Sequence, residues 1–98
     1  MNIYLISQDE IEWTGSYSSA VVIAEDEDKA RATHPSGSVR LKVEGGKFVP
    51  KNKYVRYDGD YRVLDGWVRE TEYIRVELIG KAKEGSEPRV VCAEFNVI

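Results

Sequence analysis

Two rhythms of apolar residues run along this chain. In Met1–Ile6 both alternating sets are hydrophobic, Ile3 and Leu5 on one side and Tyr4 and Ile6 on the other. That is the pattern of a strand covered on both faces and central in its sheet. Ser19–Ala24 supplies a second buried strand through Val21, Val22 and Ile23, and the polar stretch Gln8–Ser18 between them, with Trp13 and Tyr17 embedded and Gly15 as punctuation, reads as a surface loop. From Val39 the period becomes two: Val39, Leu41 and Val43 alternate with Arg40, Lys42 and Glu44, which predicts a half-exposed strand.

A short helix is expected over Glu27–Thr33. Asp26 suits the N-cap, Glu27 and Asp28 place negative charge on the first turn, and Pro35 stops the run. Its buried side is limited to Ala30 with Thr33 or His34, so packing on a sheet must hold it. Gly45-Gly46 turns the chain into Lys47–Val49, Pro50 interrupts, and Lys53–Tyr57 resumes extended character. Asp58-Gly59 and Asp65-Gly66 each sit between β-formers, a hairpin signal that makes the middle of the chain a meander. Tyr73–Ala82 carries Ile74, Val76 and Leu78 on one side, and Arg89–Val97 carries Val91, Ala93, Phe95 and Val97. These two strands are expected to pair with each other. The order β-β-α-β-meander-β-β predicts an α+β fold, a single mainly antiparallel β-sheet with one short α-helix packed on a face.

Composition narrows the class. At 98 residues the chain is one domain, residues 1–98, and with 42% hydrophobic and 32% charged residues it can bury a core and keep a water-facing surface. No run approaches the roughly 18 apolar residues of a membrane span, and the N-terminus lacks the order of a signal peptide, so a cytoplasmic protein with no membrane partner is expected. Cys92 is the one cysteine and cannot form an intramolecular disulfide. Its apolar strand setting predicts a buried, inert thiol. The one histidine, His34, is expected to satisfy terminal carbonyls of the helix.

Chemistry of the catalytic kind is sparse. One histidine and one cysteine give no zinc-ligand cluster, Gly45-Gly46 lacks the Lys-Ser/Thr signature of a phosphate loop, and the calcium-like start Asp58-Gly59-Asp60 fails at Arg62, Val63 and Arg69. The pair Glu70/Glu72 reads as solvated surface on one side of a strand. No catalytic residue, metal or cofactor is expected, and the protein is read as a non-enzyme.

Charge is segmental instead. Residues 1–28 carry seven acids and no base, residues 29–62 carry nine bases against three acids, and the remainder five bases against seven acids, for a net −3. The basic segment interleaves cations with aromatics, and Arg40, Lys42, Lys47, Lys51, Lys53, Tyr54 and Arg56 are the candidate partner-binding residues. Such a set suits docking to an acidic protein surface. It also suits a nucleic-acid-binding module built on the aromatic meander 40–62, through phosphate neutralisation and base stacking.

The stretches Met1–Gln8, Ser19–Glu25 running to His34-Pro35-Ser36-Gly37, and Val76–Ala82 with Cys92–Asn96 resemble a set of small phage and prophage accessory proteins. Against that pattern the meander from about Val39 to Asp65 looks like an insertion. The resemblance carries over no functional residue. It implies context: a binding protein that engages a host or phage protein complex, of the kind that inhibits a host defence system such as a CRISPR effector (an anti-CRISPR). Oligomeric state is left open by the sequence.

Overall fold

The computed structural model describes residues 1–52 and 62–97. Its scaffold is a four-stranded antiparallel sheet built from β1 (Asn2–Ser7), β2 (Tyr17–Ala24), β7 (Arg75–Lys81) and β8 (Arg89–Phe95), in the order β7-β1-β2-β8. Two short ribbons accompany it: β3 (Leu41–Glu44) with β4 (Lys47–Pro50), and β5 (Val63–Leu64) with β6 (Trp67–Val68). The fold is therefore mainly antiparallel β with one short helix, but the strands described form three sheets rather than one. Strands of two to four residues closed by glycine turns pair with themselves and lie against the core as separate pieces.

The closing hairpin expected between the last two long strands does not form. β7 pairs with β1 and β8 with β2, so they occupy opposite edges of the sheet. The reason is non-local: the β1–β2 hairpin forms the centre and offers two free edges, one for each late strand.

Helix α1 (Glu27–Arg31) is two residues shorter than expected and starts as expected. The Lys29 N–H donates to Asp26 Oδ1 at 2.8 Å, and Ala30 is its one buried residue. The helix contacts β1, β2 and β7. Leaving it, the Thr33 hydroxyl donates back to the Lys29 carbonyl at 2.8 Å.

The main core cluster lies on one side of the sheet, while Ile23 is buried on the other side, outside that cluster. Tyr4, Ile6, Ala20, Val22 and Ala24 meet Ala30, Phe48, Val63, Leu64, Trp67, Val68 and Ile74 in one cluster. Ile3, Leu5 and Val21 point away from it and remain half-buried, which corrects the expectation that β1 is covered on both faces. Val39, expected inside, is 79% exposed, because β3 begins only at Leu41.

The 8–18 segment is anchored more firmly than a surface loop. Buried Gln8 donates through Nε2 to the carbonyls of Ile11 (2.9 Å) and Tyr17 (2.8 Å) and accepts the Ile11 N–H at Oε1 (2.9 Å). One polar side chain thus satisfies three backbone groups, the N–H and carbonyl of buried Ile11 and the carbonyl of Tyr17. At the other end, the Gly15 N–H donates to the Asn96 carbonyl and the Asn96 N–H to the Ser16 carbonyl, tying the segment to the exit of β8.

Candidate functional site

The β3–β4 ribbon carries Lys42 and Lys47, and Arg40 and Lys51 flank it, which places there the described candidate partner-binding residues. Its register pairs Leu41 with Pro50, Lys42 with Val49, Val43 with Phe48 and Glu44 with Lys47. Opposed residues share a face, so Leu41, Val43, Phe48 and Pro50 lie on one side of the ribbon and Lys42, Glu44, Lys47 and Val49 on the other. Phe48 is fully buried, with Leu41 and Val43 packed against the same core, which fixes the first side inward. The Lys51 N–H donates to the Arg40 carbonyl at 2.8 Å and extends the pairing by one step. Arg40, Lys42, Lys47 and Lys51 are all exposed. Lys42 holds Glu44 at 3.0 Å, and Lys47 also lies beside Glu70 and Glu72. Of the candidate residues, Lys53, Tyr54 and Arg56 lie outside the described residues.

The ribbon is held in place through β4. The Phe48 N–H donates to the Arg69 carbonyl (2.8 Å), Arg69 Nε returns a bond to the Phe48 carbonyl (3.1 Å), and both the N–H and the hydroxyl of Thr71 donate to the Gly46 carbonyl. Four cations on a two-stranded surface, anchored by a buried aromatic and this backbone ladder, form a fixed basic patch. An exposed patch of this kind can steer and orient an anionic partner.

His34 does something other than cap the helix. It is buried, and its Nε2 lies 2.7 Å from the Leu64 carbonyl while Nδ1 accepts the Ser36 N–H at 3.1 Å. A backbone N–H can only donate, so Nδ1 is the acceptor and the proton sits on Nε2. The ring meets Phe48 and Tyr17 edge-on, with centroids 5.4 and 6.2 Å away. Burial pushes its pKa below the ordinary 6.5, against smaller opposing effects of the Leu64 carbonyl and Asp65. His34 is thus a neutral pin between the helix exit and the β5–β6 hairpin.

A pH effect follows from that pin. As pH falls through about 6.5 the unfolded chain takes up a proton that the folded chain refuses, so stability contributed by His34 is present above that pH and lost below it. The stability difference between the wild type and His34→Gln should shrink from pH 7.5 to 5.5, with a slope of at most about 1.4 kcal/mol per pH unit. Denaturant melts across that range check this; parallel curves for the two proteins would contradict it.

Glu70 caps and Glu72 lies within a 3-10 turn, Thr71–Tyr73, instead of the two sharing a strand face. A hydrogen bond from the Glu72 carboxyl to the Glu70 carboxylate holds Glu72 above its ordinary range, and the same acids, Glu72 foremost, raise the Tyr73 phenol. Both carboxylates are exposed, and the depression beside them sets Arg31 and Lys47 among them on an open surface. Among the described residues no three His, Cys, Asp or Glu side chains converge on a metal-sized site, and no described helix is long and apolar enough to cross a membrane.

Cys92 is exposed, against the expectation of a buried thiol. β8 is an edge strand, and an irregularity in its pairing between Val21 and Val22 directs Cys92 to the face away from the core, in line with Val21. No family model, no curated protein and no solved structure matches this chain.

Proposed function

We propose that this protein is a non-catalytic accessory protein of the phage type that acts by binding an acidic protein partner through the outward face of the β3–β4 ribbon, as an inhibitor of a host defence complex such as a CRISPR effector would. The observation that supports this reading is the convergence of Arg40, Lys42, Lys47 and Lys51 on one exposed face whose reverse side is locked into the core by Phe48. Such a face arrives at its partner already organised, so little conformational entropy is lost on docking. Its charges act mainly on encounter: a basic patch raises the association rate and favours an acidic surface over a neutral one.

The test is a paired capture from host lysate, with and without nuclease, using the wild type and a variant with Arg40, Lys47 and Lys51 each changed to Glu. A protein retained by the wild type after nuclease treatment and lost by the variant supports the reading. Retention that vanishes with nuclease would assign the ribbon to nucleic acid instead, where phosphate contacts dominate and binding falls steeply with salt. The three positions are exposed, so the variant should melt within about 1 kcal/mol of the wild type. A matched reversal of Glu84 and Glu87, exposed in the β7–β8 connection, should change neither melting nor capture.

A further inference from the structure

We propose that the uncovered face of the four-stranded sheet is a homodimer interface, two copies packing face to face about a twofold axis parallel to the strands. This goes beyond the ribbon reading and rests on different residues. Strand register arranges the open face in three rows, each read from β7 through β1 and β2 to β8. The first is Gly80, Ile3, Ile23, Arg89; the second Glu77, Leu5, Val21, Cys92; the third Arg75, Ser7, Ser19, Glu94. The middle of the face is apolar or small, with Ile3, Leu5 and Val21 half-buried and Ile23 already down to 5% exposure, and the charges stand on the two edge strands. Met1, Ile79 and Val91, each about half exposed, add apolar surface at its margins. Covering Ile3, Leu5 and Val21 removes from water the one apolar surface of the central strands that the core does not reach.

The charge arrangement identifies the occupant as a second copy. A twofold axis along the strands lays β1 over the partner's β2 and β7 over the partner's β8, while keeping each row in place. Ile3 then faces the partner's Ile23, and Leu5 the partner's Val21. Ser7 meets the partner's Ser19. At the edges Arg75 faces the partner's Glu94, and Glu77 lies one row from the partner's Arg89, each pair occurring twice. Arg75 already holds Asp9 at 3.3 Å in an exposed pair and gains a second carboxylate. A twofold axis across the strands instead stacks Glu77 on the partner's Glu77 and sets Ile3 against the partner's Ser7. The face therefore complements itself in one orientation and opposes itself in the other.

Size agrees with a reversible dimer. Four strands about 4.8 Å apart and six residues at about 3.4 Å each give a face about 19 by 20 Å, which one like sheet covers at about 10 Å separation with strands within roughly 30°. An interface of this extent is at the small end of specific association, so dimerisation should depend on concentration.

Sedimentation equilibrium on the purified full chain tests the proposal. The wild-type mass should rise with concentration from 11.1 kDa toward twice that value. Arg75→Glu alone, or Glu94→Arg alone, should weaken association about tenfold by opposing like charges. The double variant R75E/E94R should return to within a few fold of the wild type. Both sites are exposed, so these variants keep the fold. As a second readout, Cys92 on the same face should be labelled by a thiol reagent more slowly at concentrations where the dimer forms. A mass of 11.1 kDa at every concentration would overturn the proposal, and so would a dimer indifferent to the single reversals or a double variant no better than either single one.

Discussion

Trp67→Ala should destabilise this protein by about 3–5 kcal/mol, the range for removing a large aromatic from a packed core. Folded domains hold only about 5–15 kcal/mol in total, so much of that margin would go with one side chain. Trp67 is fully buried, as are Phe48, Ile6, Ile11, Val22 and Val68 in the same core cluster. Its indole Nε1–H is buried without a hydrogen-bond acceptor among the described residues. Leaving such a donor unpaired costs about 1–3 kcal/mol, so Trp67→Phe removes a burden along with some ring volume. Urea unfolding should place the phenylalanine variant well closer to the wild type than the alanine variant. Equal losses would mean that the indole N–H contributes favourably after all.

Gly66→Ala should be the second severe substitution, and Gly45→Ala its mild control. Both glycines have positive φ, +77° and +62°, so each alanine meets the left-handed penalty of about 1–2 kcal/mol. Only Gly66 is crowded: an added Cβ would lie 2.6 Å from the Gly15 carbonyl oxygen and 3.4 Å from the Tyr17 ring, whereas Gly45 faces open space. Backbone cannot step aside cheaply here, because the Tyr17 N–H donates to the Gly66 carbonyl at 2.7 Å and locks the two segments together. Gly66→Ala should therefore cost at least about 2 kcal/mol more than Gly45→Ala, an amount in the overpacking range. Thermal melts of the pair decide it, and similar midpoints would show that the 15–17 segment yields.

What could be read from the sequence was what local chemistry decides. Asp26 caps the helix through its own side chain, and Asp65-Gly66 turns a hairpin because both residues take positive φ. Alternation placed Arg40 and Lys42 opposite Leu41 and Val43. That Lys47 and Lys51 join them follows from the two-residue Gly45-Gly46 turn, which pairs Glu44 with Lys47 and sets the register of β4. Partner choice was out of reach: β7 and β8 alternate as a hairpin would, and only the central place of the β1–β2 pair sends them to opposite edges. The doubly apolar β1 was read as doubly covered, since periodicity reports which residues avoid water and not what excludes it. Cys92 failed for the same reason. A signal was present in β7, where Arg75 and Glu77 alternate with Ile74, Val76 and Leu78; Arg89 and Glu94, five positions apart, share a face only through the irregularity in the pairing of β8.

The central claim is that the outward face of the β3–β4 ribbon binds an acidic protein. It is tested most directly by the association rate of the captured, nuclease-treated partner with the wild type and with the Arg40/Lys47/Lys51→Glu variant, measured over a range of salt. The account predicts a wild-type rate that falls as salt rises, and a variant that associates more slowly at low salt with a flattened salt dependence, at unchanged melting temperature. A variant that binds as fast as the wild type at every salt concentration would contradict it.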